Sequence, residues 1–365
     1  MTGTRPLILA PHSDPHASAL AWAIEQQGVE PLWFAALPTA PGAHYRFHID
    51  ADGESMDAPF DLAGGITAVW NRRFQEPKPH CAEADRTFAA WEWKMFQRSV
   101  FSLDSTFARP LWVNPMDAAR HAENKLVQLS VCRRLGIPFP DTVVTTDAAE
   151  VHAMRARWGR IVFKSFLVHQ WEERDSGKMH AVGVTLLDGD SDLPAEAIAV
   201  CPGIYQRYIE KTCDVRVTVI GDRMFALAIR KDQGGGFVDW RTHAGDPELR
   251  AEGIVLPEAL EARLRAFMRE LGLVFGCIDL VMDAEGGFHF LEVNQAGQFL
   301  FVEDMLPGCP ILRAMTAMLV TGRVDYALDD IGDVSMKGFW ASDRFDRLRE
   351  AVDEAPPERV LFTVE

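Results

Sequence analysis

Apolar and polar positions change period several times along the chain, and each change marks an element. "RPLILAP" is a short apolar run of strand length that ends in a turn. "DPHASALAWAIEQQG" then takes up helical spacing, with Ala17, Leu20, Ala21 and Ile24 on one side and Gly28 as a stop signal. "PLWFAAL" and "ITAVWNRR" read as further buried strands, so the first third predicts an open α/β unit. "DRTFAAWEWKMFQRSVFSLD" predicts an aromatic-rich helix capped by Asp85. Its stripe of Phe88, Trp91 and Met95 predicts a core-facing side, with a peptide-docking face as the other reading.

Further along, a helix is expected to begin after "NPMD" and to stop at Gly136, with Pro138 beyond it. "TVVTT", a short helix, "RIVFKSFLV" and "AVGVTLL" follow. "GIYQRYIEKTCDVRVTVIGDRMFALAIR" reads as paired strands turning at Gly221 and Asp222, and "GCIDLVMDAEGGFHFLEVNQAGQ" as two more. Beyond about Gly322 the chain is more polar, with one helix-like stretch, "DRFDRLREAVDEA", and a terminal "RVLFTV" expected as an edge strand.

At 365 residues the chain is too long for one small core and fits two or three packed units. A net charge of −16 disfavours nucleic acid and anionic membranes as partners, so an anionic ligand must meet a local basic site. The cysteines, at 81, 132, 201, 213, 277 and 309, show no metal-type spacing and read as buried reduced thiols. The apolar run before Pro11 is too short for a signal peptide and no stretch reaches membrane-spanning length, so a cytoplasmic protein is expected.

Against this pattern several charged residues are out of place. Lys125 falls in the apolar stripe of its helix, and Lys164 lies in the middle of "RIVFKSF" between Val162 and Phe166 on its own face. Either is explained singly by a stem that snorkels to water; together they suggest a shared anion. Arg216 alternates with Val215 and Val217, and an internal pair with Asp214 competes with a ligand-gripping role. Arg241 follows a glycine-rich turn in "RKDQGGGFVDWRTH", and a planar guanidinium suits phosphoryl or carboxylate oxygens. Glu292 and Asn294, two apart on one strand, point to the same face, and a hairpin through "DAEGG" can bring Asp279 beside them. Two carboxylates and an amide oxygen are ligands that Mg²⁺ accepts; hydrogen-bonded structural carboxylates are the rival reading.

Taken together these residues resemble the ATP-grasp fold, and more closely the microviridin-type peptide ligases that make graspetides. "HAENKLVQLSVCRRLGIPFPDTVVT" looks like the family's first nucleotide-lysine helix with its following turn, and "IVFKSF" is similar to the strand of the second lysine. "IYQRYIEKTCDVRVTVIGDRMFALAI" resembles the adenine hinge with its Asp-x-Arg strand. "CIDLVMD" with "FLEVNQAGQFLFVE" resembles the metal hairpin of the peptide-ligase branch, and "ITAVWNRRF" its N-terminal "W-x-R-R" strand end, with Phe74 where a proline is usual. The loop "VHQWEERDSGKMH" lacks the glycine-rich lid of related glutamate ligases, and the tail from about 321 has no counterpart.

The resemblance implies an α/β (α+β) ATP-grasp protein with an N-terminal domain over 1–115, a central subdomain over 116–203, a C-terminal subdomain over 204–320 and a tail over 321–365. It implies that Lys125 and Lys164 hold the α- and β-phosphates of ATP. The backbone of Gln206, Tyr208 and Ile209 would face adenine, and Glu210 would take the ribose hydroxyls. Asp279, Glu292 and Asn294 would bind Mg²⁺, with Arg216 and Arg241 as catalytic groups on the transferring phosphoryl. The activity implied is an ADP-forming ligase that joins Asp or Glu side chains of a ribosomally made precursor peptide, leader plus acidic core, to Ser, Thr or Lys as macrocyclic esters or amides. Addition of a free amino acid, as in glutamate ligases, is the alternative, and a non-catalytic peptide-binding module is the third. Arg72, Arg73, Arg133 and Arg134 are either contacts for acidic peptide groups or members of solvated faces. Family members are often dimers, so a homodimer is among the expectations.

Overall fold

The computed structural model describes residues 4–58, 65–102, 110–166, 169–172, 179–189, 194–231 and 248–354. Its first sheet is parallel, with the strand order Leu32–Phe34, Arg5–Leu9, Ile66–Asn71, Leu111–Val113. Helix Pro15–Glu25 crosses over between the first two strands; Asp14 caps it by accepting from the Ala17 N–H at 2.9 Å. A hairpin of Arg46–Ile49 with Glu54–Asp57, not anticipated from the periodicity, is attached to this unit.

The second sheet is antiparallel, in the order Thr185–Leu187, Ile161–Lys164, Gly203–Arg207, Thr142–Thr145. Helix Ala148–Trp158 covers it through Val151 and Met154, which pack with Ile161, Leu187, Ile198 and Tyr205. "AVGVTLL" divides: Met179–Val182 pairs with His169–Glu172, and only Thr185–Leu187 joins the sheet.

The third and largest sheet runs Leu249–Gly253, Arg223–Lys231, Lys211–Ile220, Phe275–Asp283, Phe288–Asn294, antiparallel throughout. One face presents Val215, Val217, Val219, Ile278, Leu280 and Val293 to helices Lys125–Leu135 and Glu258–Glu270. The other face carries Ile220, Leu227, Ile229, Phe275 and Cys277 against Phe299, Leu312 and Met315, and beside them a polar row that includes Arg216, Asp279 and Glu292. The expected turn at Gly221 is present with φ +56°; a Cβ there would stand 2.4 Å from the Val324 carbonyl oxygen, so only glycine fits.

Three sequence expectations need correction. The aromatic helix, Arg86–Val100, turns Phe88, Trp91 and Met95 outward at 71%, 64% and 40% exposure, while Trp93 and Phe96 meet Tyr45 edge-on. The helix after "NPMD" breaks into Met116–Ala122 and Lys125–Leu135, the second capped by Asn124, so Lys125 opens a helix rather than lying within one. Cys81 and Cys201 are exposed, whereas Cys132, Cys213 and Cys277 are buried as expected. The terminal "RVLFTV" lies outside the described residues. Among those residues no helix is long and apolar enough to cross a membrane.

Candidate active site

The polar row on the large sheet follows from strand register. Arg216 lies opposite Asp279, and Asp279 opposite Glu292, so three side chains from three neighbouring strands share one face. Asn294 stands one pair further, opposite Cys277. Leu280 then pairs with Phe290 rather than Leu291, which makes Leu291 the extra residue of a β-bulge beside Glu292.

Within that row the contacts are charge-assisted and largely buried. Arg216 Nη1 donates to Asp279 Oδ1 at 2.7 Å and Nη2 to the Gln298 carbonyl at 2.6 Å. Arg216 is 4% exposed and Asp279 7%. Asn294 Nδ2 donates to Asp279 Oδ2 and to Glu292 Oε1, both at 3.2 Å. Lys125 Nζ forms an ion pair with Glu292 Oε2. Lys125 is steered there by Gln128 one turn on, whose amide accepts from the Val293 N–H at 3.0 Å and donates to the Val293 and Ala122 carbonyls at 3.0 and 2.7 Å.

The donor chemistry of this set fits a hard divalent cation. The two carboxylates, Asp279 and Glu292, stand beside the Asn294 amide, whose oxygen is of the kind such a cation accepts as a third ligand. Turning that amide over exchanges its nitrogen for its oxygen without moving the side chain, a choice fixed by what the amide faces.

The remaining candidates lie on the second sheet and its exit. Lys164 ends the strand Ile161–Lys164, opposite Ile204. Gln206 is buried between Thr142 and Val162, and its side chain donates to Thr142 Oγ1 at 2.9 Å. Tyr208 donates its N–H to the Arg160 carbonyl at 3.2 Å and lies under the Arg160 guanidinium, 4.3 Å from the ring centre. Ile209 follows it in the link to the large sheet, and Glu210 forms an exposed ion pair with Arg160. Arg241 lies outside the described residues. Asp214 does not pair with Arg216; it takes Lys211 Nζ at 2.7 and 2.9 Å, since residues two apart stand side by side on the face while Asp279 lies directly across.

Residues from the first sheet also reach this place. Arg72, expected on an exposed surface, is 3% exposed, and its Nε donates to both oxygens of Asp14 at 2.9 and 2.8 Å. Burial works against the Asp14 carboxylate, yet the Arg72 charge and the Ala17 N–H hold its pKa below the usual range. Asn114 is buried too: it accepts from the N–H groups of Val274 and Phe275, both at 2.8 Å, and donates to the carbonyls of Phe275 and Gln295 at 2.8 and 3.0 Å. His16 stacks on Phe299 with ring centres 5.1 Å apart; burial, with the charges of Arg72, Arg73 and Arg216, pushes its pKa down to about 3.

No model of a known protein family matches the chain. A glutathione synthetase from Anaplasma centrale is 27% identical over 195 residues, which cover 50% of this chain and 56% of that protein. The chain therefore spans about half the length of the curated relative it matches. Among solved structures, a macrocyclase, MdnC, bound with precursor peptide MdnA from Microcystis aeruginosa MRC superposes with a TM-score of 0.67 at 21% identity, covering 87% of this chain and 99% of that one. A RiPP-associated ATP-grasp ligase from Chryseobacterium gregarium, in complex with ADP and a leader and core peptide, gives 0.72 at 20% identity over 87% and 96%. The ATP-grasp ligase PsnB, complexed with a phosphomimetic variant of a minimal precursor, Mg and ADP, gives 0.63 at 21% over 86% and 99%. At these identities the likeness is one of fold, and the fold is ATP-grasp.

Proposed function

We propose that this chain, with its ATP-grasp fold, is an ATP-dependent peptide ligase that activates Asp or Glu side chains of a ribosomally made precursor peptide and joins them to Ser, Thr or Lys side chains. The observation that carries this reading is the register-aligned row of Arg216, Asp279 and Glu292, with Lys125 and Asn294 gathered on it. Its support from outside the chain is that fold neighbours hold ADP, Mg and precursor peptides in their own structures.

A carboxylate is a poor acylating group because oxide will not leave. Transfer of the γ-phosphoryl of ATP to it gives ADP and an acyl phosphate; a hydroxyl or amine of the same peptide then attacks the carbonyl, loses its proton and expels phosphate. Asp279, Glu292 and Asn294 would hold Mg²⁺, which neutralises charge on the phosphate oxygens when bound. Lys125 and Lys164 meet the α- and β-phosphates, while Arg216 and Arg241 orient the transferring phosphoryl group. Gln206, Tyr208 and Ile209 line adenine by their backbone, and Glu210 exchanges Arg160 for the ribose hydroxyls. Carrying the nucleophile on the peptide being activated raises its effective concentration.

The test is incubation of the purified protein with ATP, MgCl₂ and any acidic, Ser/Thr- or Lys-containing short peptide found encoded beside its gene. Mass spectrometry is expected to show loss of one water per ring, and Glu292→Gln is expected to lower the rate on the order of 10²-fold or more. Unmodified peptide together with no nucleotide uptake overturns the reading. A second reading, addition of a free amino acid to a carboxylate, is favoured by the match to a glutathione synthetase, and ATP turnover that depends on free amino acids would select it.

A further inference from the structure

Arg72, itself buried, directly follows the strand Ile66–Asn71 of the first sheet, where a guanidinium is costly unless its donors are used. Its Nε is committed to Asp14. Its Nη1 points the other way and donates to the carbonyls of Ala296 and Gly297 at 3.3 and 3.2 Å. The next carbonyl along, that of Gln298, accepts from Arg216 Nη2 at 2.6 Å. Three consecutive carbonyls are thus held between two guanidiniums from different sheets. The loop has no slack either: a Cβ on Gly297 would stand 3.1 Å from Arg216 Nη2, from Asn294 Cβ and from Cys277 Cβ.

We propose that Arg72, braced by Asp14, is a positioning residue for Arg216. It fixes the loop 295–298 so that the Gln298 carbonyl holds one arm of the Arg216 guanidinium while Asp279 holds the other, orienting it for the γ-phosphoryl before nucleotide arrives. The forked, planar guanidinium is what the geometry requires, because one side chain must reach a carboxylate and two carbonyls in different directions. A lysine keeps the charge beside Asp14 and loses the bridge. The proposal rests on the reading of Arg216 as a group that meets the transferring phosphoryl.

The experiment compares affinities for ADP and AMPPNP by calorimetry with Mg²⁺ in excess, so that their ratio reports the γ-phosphate contact and needs no peptide. The wild-type chain is expected to prefer AMPPNP, and Arg216→Ala to abolish that preference. Arg72→Lys is expected to cut the ratio about fivefold or more with ADP affinity within about twofold, and the double variant to lose nothing beyond Arg216→Ala, since coupled sites are non-additive. If Arg72→Lys does not fold, Asp14→Asn is read the same way, with a smaller drop in the ratio. A lowered melting temperature with an unchanged ratio makes Arg72 merely structural, as does an additive loss in the double variant; either overturns the inference and leaves the proposed function standing. A wild-type chain that binds neither nucleotide overturns both.

Discussion

A buried imidazole whose Nδ1 has no hydrogen-bond partner among the described residues must stay neutral, and the guanidiniums of Arg72, Arg73 and Arg216 around His16 enforce this. Its folded pKa, about 3, lies below the ordinary 6.5, so below 6.5 the unfolded chain binds a proton that the folded chain refuses. The stabilisation is therefore complete above 6.5 and drains away as pH falls toward 3. Between pH 7.5 and 5.5 the wild-type chain should lose about 1.4 kcal/mol through this group, and His16→Gln should remove that part of the slope, read from denaturant midpoints at the two pH values. Asp14, also lowered, acts only below about pH 4 and leaves this window clear. At this scale the sequence showed that Glu292 and Asn294 share a face, because residues two apart on a strand do, and that a hairpin could bring Asp279 beside them. It did not reveal Arg72, whose partner Asp14 lies 58 positions away and whose strand-end place reads equally well as solvent.

Elements decide where a side chain chosen by the sequence can reach. The break between Met116–Ala122 and Lys125–Leu135 puts Lys125 at a helix start, and Gln128 then ties that helix to the strand of Glu292 by two hydrogen bonds and to Ala122, at the end of the preceding helix, by a third. Replacing Gln128 by Leu leaves two carbonyls and an N–H unpaired in a buried place, which should cost about 2–4 kcal/mol of stability. The same change should weaken nucleotide binding through Lys125; thermal melts and calorimetry on one variant read both. Gln128 was visible as a polar residue on an apolar helix, yet no local pattern says what it meets. The aromatic helix Arg86–Val100 failed for a different reason. It carries two apolar sides, and periodicity counts both without saying that Trp93 and Phe96, beside Tyr45, would be the ones turned inward.

For the whole molecule, an open α/β unit at the start and paired strands turning at Gly221 and through "DAEGG" were legible, since periods and turn signals are local; their grouping into three sheets was not. The part played by the tail was not. Tyr326, Ile331, Val334, Met336 and Phe339 join the same core as helix Pro15–Glu25, and the Tyr326 hydroxyl donates to the Ile220 carbonyl at 3.1 Å. Glu303, its pKa raised by burial, accepts from the N–H groups of Leu312 and Met336 at 2.9 and 2.7 Å. Arg344 reaches Glu25 at 3.0 Å. Ending the chain after Gly322 should therefore uncover helix Pro15–Glu25 and yield aggregated protein, which size-exclusion chromatography of the truncated and full chains would report; a monodisperse truncated chain with an unshifted melt would refute it.

The ion pairs of the polar row carry one more consequence. Lys125 and Arg216, the cations suited to a triphosphate, are engaged by Glu292 and Asp279, the anions suited to a divalent ion. A nucleotide arriving alone would strand two carboxylates, and a metal arriving alone would strand two cations. On the proposed reading, guests arriving together would trade partners with their hosts and leave no charge orphaned, so each should sharpen the protein's appetite for the other.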